Sequence, residues 1–126
     1  MDLRRKHPRQ QGDLGEAAAI QWLTEIGAGV SFPLFHSPDY DLIAELNGHL
    51  LRVQVKTGTR VHGSGFCLQL ATNGGNQSWS GVVKRFDPAS CDFLFALVGD
   101  GRRWFIPTSE IVATTSIVLG GRRYEE

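Results

Sequence analysis

The sequence predicts an α+β domain in which one N-terminal helix packs on a mixed sheet of five or six strands. Three observations carry that expectation. Helical spacing of apolar residues occurs once, between residues 14 and 26, in an Ala-rich segment. From residue 30 onward apolar residues alternate, or come in short runs broken by Gly, Pro, Asn and Asp, which is strand-and-turn patterning. Finally, Asn47-Gly48 separates two alternating runs, the strongest short-range signal for a two-residue type I′ hairpin.

Bulk properties bound the answer. A chain of 126 residues suits a single domain over residues 1–126 with room for a core. Its 41% apolar and 10% aromatic content argues against a disordered segment. The 13 basic residues balance 13 acidic ones, so net charge gives no vote for nucleic acid. The basic residues are nevertheless clustered: Arg4, Arg5, Lys6 and Arg9, then Lys84-Arg85, Arg102-Arg103 and Arg122-Arg123. Such groups are ordinarily solvated surface, with contact to phosphates as the alternative. Cys67 and Cys91 form no CxxC pair and have no zinc-type spacing to His, which fits a reduced intracellular protein. No apolar run approaches the ~20 residues of a membrane span and no signal peptide opens the chain, so a cytoplasmic, membrane-free protein is expected.

Taken in order, residues 1–11 are polar and basic and read as a flexible lead-in. Gly12-Asp13 then opens a helix from about Leu14 to Ile26, stopped by Gly27 and Gly29. Its inner stripe is Ala19, Ile20, Leu23 and Ile26, and Glu16 is spaced to project over that stripe. With Asp13 as N-cap, Glu16 also completes a capping-box pattern, so a structural and a functional role stand side by side. Val30 to Phe35 is a short strand with Pro33 suggesting an edge, and Ser37-Pro38-Asp39 turns into the hairpin.

The two-residue turn fixes the hairpin register. Leu46 faces His49, Ile43 faces Arg52 and Asp41 faces Gln54. Alternation then gives one apolar face, with Leu42, Ala44, Leu46, Leu51, Val53 and Val55. The other face carries Asp41, Ile43, Glu45, Leu50, Arg52, Gln54 and Lys56. That polar face is either an active site or a solvated salt-bridge ladder in which Arg52 lies diagonally between Asp41 and Glu45.

Thr57 to Gly65 reads as a mobile Gly-rich connection containing Arg60 and His62, and Phe66 to Leu70 as a third strand. Residues 71–81 form a polar loop around Trp79, and 82–86 are ambiguous. Asp92 to Val98, the most apolar run, should be central, and Gly99-Asp100-Gly101 returns it into an antiparallel Trp104 to Ile106. Pro107 to Ile111 suggests a short helix capped by Thr108 or Ser109, Ser116 to Leu119 a last strand, and 120–126 a tail. His7, His36, His49 and His62 show no ligand spacing. Trp22 and Trp104 read as core, and Asp92 as a strand cap or a neighbour of the site.

Glu16, Asp41 and Gln54 would bring three oxygen-bearing side chains to one place, with Lys56 beside them. Hard cations such as Mg²⁺ favour carboxylate and carbonyl oxygens completed by water. A lysine there can orient or deprotonate a water, or steady charge on a phosphate. The inventory suits metal-assisted hydrolysis of a phosphodiester.

These residues also resemble the PD-(D/E)XK nuclease superfamily. The matching pieces are GDLGEAAA with Glu16, PDYDLIAEL with Asp41, and LLRVQVK with Gln54 and Lys56. Gln54 replaces the usual acid of the last motif, which is similar to the homing endonucleases associated with group I introns. CDFLFALVGDGRRWFIP looks like that branch's later strand pair, so the resemblance spans roughly residues 10–112. It implies a restriction-endonuclease-like core and a metal-dependent DNA endonuclease. Asp41 would be the principal metal ligand, Gln54 a neutral ligand through its amide oxygen, Lys56 the catalytic lysine and Glu16 a supporting acid. Mg²⁺, with Mn²⁺ as substitute, would be the cofactor and double-stranded DNA the partner. Because so small a domain covers little duplex, a homo-oligomer, dimer or tetramer, is expected. Asp39, the literal Asp of the motif's name, is held as a salt-bridge partner for Lys56. The competing readings are a junction-resolving or restriction-type nuclease, and a DNA-binding module without catalysis.

Overall fold

In the computed structural model, residues 2–35, 37, 39–71, 85–113 and 115–120 are described. His36, Pro38, Trp79 with most of its loop, Lys84 and the Arg122-Arg123 pair lie outside the described residues.

Helix α1 spans Pro8–Glu25, so it starts before the Leu14 that the apolar spacing suggests. Pro8 suits the first turn, where its missing N–H costs nothing. His7 caps it, its Nδ1 accepting the Arg9 N–H at 3.2 Å. Asp13 and Glu16 therefore sit inside the helix and form no capping box. Of the expected lead-in, residues 8–11 are helical and Leu3 is fully buried. The helix closes as a Schellman motif: Ala28 N–H reaches Leu23 O at 2.9 Å, Gly27 N–H reaches Thr24 O at 3.1 Å, and Gly27 takes φ +90°.

Eight strands follow: β1 (Gly29–Ser31), β2 (Leu42–Leu46), β3 (His49–Gly58), β4 (Arg60–His62), β5 (Gly65–Gln69), β6 (Phe93–Val98), β7 (Arg103–Pro107) and β8 (Ser116–Leu119). A five-stranded sheet runs in the order β1-β2-β3-β6-β7, antiparallel throughout except for the β3–β6 pair. The hairpin register is the one the turn dictates, with Leu46 opposite His49 and Ile43 opposite Arg52. Asn47 and Gly48 both take positive φ, 52° and 79°, as a type I′ turn requires.

The remaining strands form a second, three-stranded sheet in the order β4-β5-β8. The stretch read as a mobile connection is thus partly strand, because Arg60–His62 pairs antiparallel with Gly65–Cys67. Gly58 permits the passage between sheets: a Cβ there would lie 2.7 Å from Cys67 O.

The five-stranded sheet is covered on both faces. Under α1, Leu3, Ala18, Ala19 and Leu23 pack on Leu42, Ala44, Val53, Phe95 and Leu97. On the other face, Leu94, Ala96, Val98, Trp104 and Ile106 pack with Phe66, Leu68, Ile117 and Leu119 of the second sheet. Burial on both faces explains why β6 is apolar without alternation. A 3-10 turn follows at Thr108–Glu110, with Pro107 at its N-cap and no side-chain cap bond. The Thr108 hydroxyl is used elsewhere, 2.7 Å from Cys91 O and 2.9 Å from Pro88 O, tying the β6 approach to the end of β7. No helix among the described residues is long and apolar enough to cross a membrane.

Candidate active site

Asp41 is where the hairpin ladder changes from backbone to side chain. Its N–H still reaches Val53 O at 2.9 Å, but the chain then leaves the sheet. The Val55 N–H would lose its acceptor there, and Asp41 Oδ2 supplies one at 2.8 Å. The same oxygen accepts Gln54 Nε2 at 3.0 Å. Asp41 and Gln54 are thus in contact as the register requires, with the amide nitrogen of Gln54 facing the carboxylate.

Lys56 lies one alternation beyond Gln54 on the same face, paired with the fully buried Ala96 of β6. It is half-buried. Burial pushes its ammonium below the usual lysine value, and the Asp41 charge opposes that shift without cancelling it.

Glu16 approaches from the other side. Because α1 covers the Leu42, Ala44 and Val53 face, Glu16 does not overhang the face that carries Gln54 and Lys56. It reaches the open end of the hairpin instead. There Glu16 and Asp41, with Phe32, Pro33, Ser37 and Tyr40, line a pocket of about 110 Å³. Asp41 is therefore the shared member, bonded to Gln54 on one side and lining a pocket with Glu16 on the other.

The donors on hand are two carboxylates and an amide oxygen, a hard set that fits Mg²⁺ or Mn²⁺ better than a soft metal. It is a sparse set. No cluster of three or more His, Cys, Asp or Glu able to hold a metal occurs among the described residues. Gln54 offers its oxygen to a cation shared with Asp41 only after a half-turn of its amide, since its nitrogen occupies that side.

Other expectations resolve. Asp39 sits in the turn before β2, its N–H 3.2 Å from Ser37 Oγ, and the ladder stops before it could face Lys56 across a strand pair. In place of the ladder, the Arg52 guanidinium turns to Asp92 (Nε to Oδ2 3.3 Å) and Ala89 O (3.2 Å). Asp92 is a strand cap. Its Oδ2 accepts the Arg52 backbone N–H at 2.7 Å, and its own N–H returns to Arg52 O at 2.8 Å. Burial raises the Asp92 carboxyl, but the hydrogen bonds and charge of Arg52 outweigh it and leave the group below its ordinary value. Sequence reading missed the pocket wall formed by Tyr40, Phe32 and Pro33. An aromatic directly before the leading acid was the available signal, but alternation does not say where a residue outside a strand points.

A family model described as PD-(D/E)XK endonuclease matches residues 6–124. No curated protein sequence matches the chain. Among solved structures, the bacterial homing endonuclease I-Ssp6803I superposes with a TM-score of 0.73 at 23% identity, covering 94% of this chain and 82% of that one. At that identity the likeness speaks for the fold.

Proposed function

The chain belongs to the PD-(D/E)XK endonuclease family, and from that premise we propose that it is a metal-dependent nuclease cutting double-stranded DNA at Asp41, Gln54, Lys56 and Glu16. The observation that carries the assignment is the Asp41 carboxylate, bonded to both Gln54 and the Val55 N–H and close enough to Lys56 to influence its proton.

Asp41, the Gln54 amide oxygen and Glu16 would hold Mg²⁺, or Mn²⁺ in its place, and the ion would polarise the scissile phosphate and acidify a bound water. The chain's own residues do the rest. The Val55 N–H and Gln54 fix the Asp41 carboxylate, so little reorganisation accompanies substrate arrival. Lys56, its proton loosened by burial, orients the attacking water or takes its proton, and in its charged form offsets charge growing on the phosphate. Gln54 brings no charge, so the cation would be held weakly without DNA, and the substrate phosphate would supply the missing negative charge.

Plasmid cleavage with Mg²⁺ or Mn²⁺ tests this. Lys56→Ala should lower the rate by about 10²–10⁴-fold, the usual worth of a positioned proton-transfer group, and Asp41→Ala, which removes the principal metal ligand, should abolish cleavage. Activity surviving both substitutions would sink the mechanism. The homing-endonuclease character of I-Ssp6803I and the Gln in the last motif favour a homing-type enzyme over a junction-resolving or restriction-type one. Cleavage of linear duplex but not of four-way junctions is the expected pattern. A second reading, a DNA-binding module without catalysis, draws on the Gln54 nitrogen facing Asp41. It predicts duplex binding with no cleavage under either metal.

A further inference from the structure

The basic residues that open the chain have no part in the site described so far. Leu3 is fully buried beneath α1, and its N–H bonds to Gly99 O, just past the end of β6, at 3.0 Å. Lys6 N–H returns to Leu3 O at 3.0 Å. The Gln11 side chain then closes the turn, its Nε2 reaching Leu3 O at 3.0 Å and Lys6 O at 2.9 Å. Arg4 is taken up by Asp2, with three bonds of 2.9–3.1 Å. Arg5, Lys6 and Arg9 are exposed, and no ion pair among the described residues involves them. The turn is thus anchored from inside while three cations face outward.

Its place in the fold is specific. Gly99 lies three residues beyond Ala96, the partner of Lys56, which is about 10 Å along the strand. Gly15 of α1 seats the same helix half on this end of β3, where a Cβ would meet Thr57 Cγ2 at 2.6 Å. Arg9 precedes Glu16 by seven residues, so the two share a helix stripe about 10 Å apart. Asp13 lies between them on that stripe, without an ion pair to Arg9 among the described residues. Phosphates on one DNA strand advance about 3.4 Å along the duplex axis. A scissile phosphate at Asp41 and Lys56 would therefore leave phosphates of the flanking nucleotides within reach of Arg5, Lys6 and Arg9.

We infer that the anchored turn at residues 4–9 is a backbone clamp: Arg5, Lys6 and Arg9 hold phosphates flanking the cut, and so position the duplex without reading its sequence. The inference rests on the nuclease reading above. Ordered cations bind a polyanion without the cost of immobilising a mobile arm, and phosphate contacts fix register rather than specificity.

The test is duplex binding by fluorescence anisotropy from 50 to 200 mM salt, in a Lys56→Ala background that prevents cutting. Arg5→Gln/Lys6→Gln/Arg9→Gln should bind more weakly on any sequence, and its slope of log K against log salt should fall by about 0.9 per lost contact, near 2.7 in all. Arg5→Lys/Lys6→Arg/Arg9→Lys should restore the slope. With Lys56 intact, the Gln variant should raise KM and leave kcat near that of the native chain. A native chain that binds and cuts duplex, beside a Gln variant of unchanged slope, overturns the clamp and leaves the nuclease reading standing. A native chain that neither binds nor cuts duplex overturns both.

Discussion

Lys56 is held between two opposing influences, burial that loosens its proton and the Asp41 charge that retains it. Because its folded pKa lies below the unfolded value of 10.5, folding disfavours the ammonium form. That penalty is complete below the folded pKa and vanishes as pH rises past 10.5. Lys56→Met should therefore raise the melting temperature at pH 7, with the gain shrinking above the folded pKa and gone once pH has passed 10.5; a gain independent of pH would refute the argument. Gln54→Glu puts a second carboxylate beside Asp41. It should tighten Mg²⁺ binding in the absence of DNA by about tenfold or more, each 1.4 kcal/mol counting as tenfold, and calorimetric titration reads it directly. An unchanged affinity would mean that residue 54 does not share the cation. At this scale Asp41, Gln54 and Lys56 were legible because a two-residue turn leaves one register open. That Glu16 lies near Asp41 was legible, but its side of the sheet was not. The helix begins at Pro8, and the face it covers depends on packing. Arg52 was misread for a similar reason: its partner Asp92 is 40 residues away and meets it only through the parallel β3–β6 pairing.

At the level of elements, the hairpin, β6 and β7 followed from alternation, apolar content and the Gly99-Asp100-Gly101 turn. What alternation does not encode is which sheet a strand joins. β5 and β8 alternate as strands of the main sheet would, yet they pair with each other across its far face. β4 is exposed along its whole length, so no apolar pattern announced it. The separation depends on Gly58. A Cβ there would press on the backbone of Cys67, which has no flexible end to swing aside. Gly58→Ala should destabilise by about 1–3 kcal/mol, the usual cost of overpacking, as read by guanidinium denaturation. Wild-type stability would show that the sheets separate easily.

Across the whole molecule, the helix, the main sheet and the second sheet form three layers, and the site opens at one end of the middle one. The front helix on a mixed sheet was readable from the order of patterns along the chain. The third layer was not, because it is assembled from segments that are far apart in sequence, 60–69 and 116–119. On the proposed reading of a nuclease that cuts both strands of a duplex, a chain of 126 residues presents little surface to its substrate. Light scattering at assay concentration should give the mass of a dimer or tetramer, and a strict monomer that nicks both strands at one site would contradict this.

The pinning of β3 at both ends has a consequence for how this chain can change. Asn47-Gly48 fixes where the strand begins and Gly58 fixes where it meets its neighbour sheet, so the ten residues His49–Gly58 act as a ruler of set length. One residue added or removed between Leu51 and Gln54 would keep every hydrogen-bonded rung available, yet would turn Lys56 toward the helix. Insertions elsewhere would alter shape by degrees, whereas one here would exchange the inside of the site for the inside of the core.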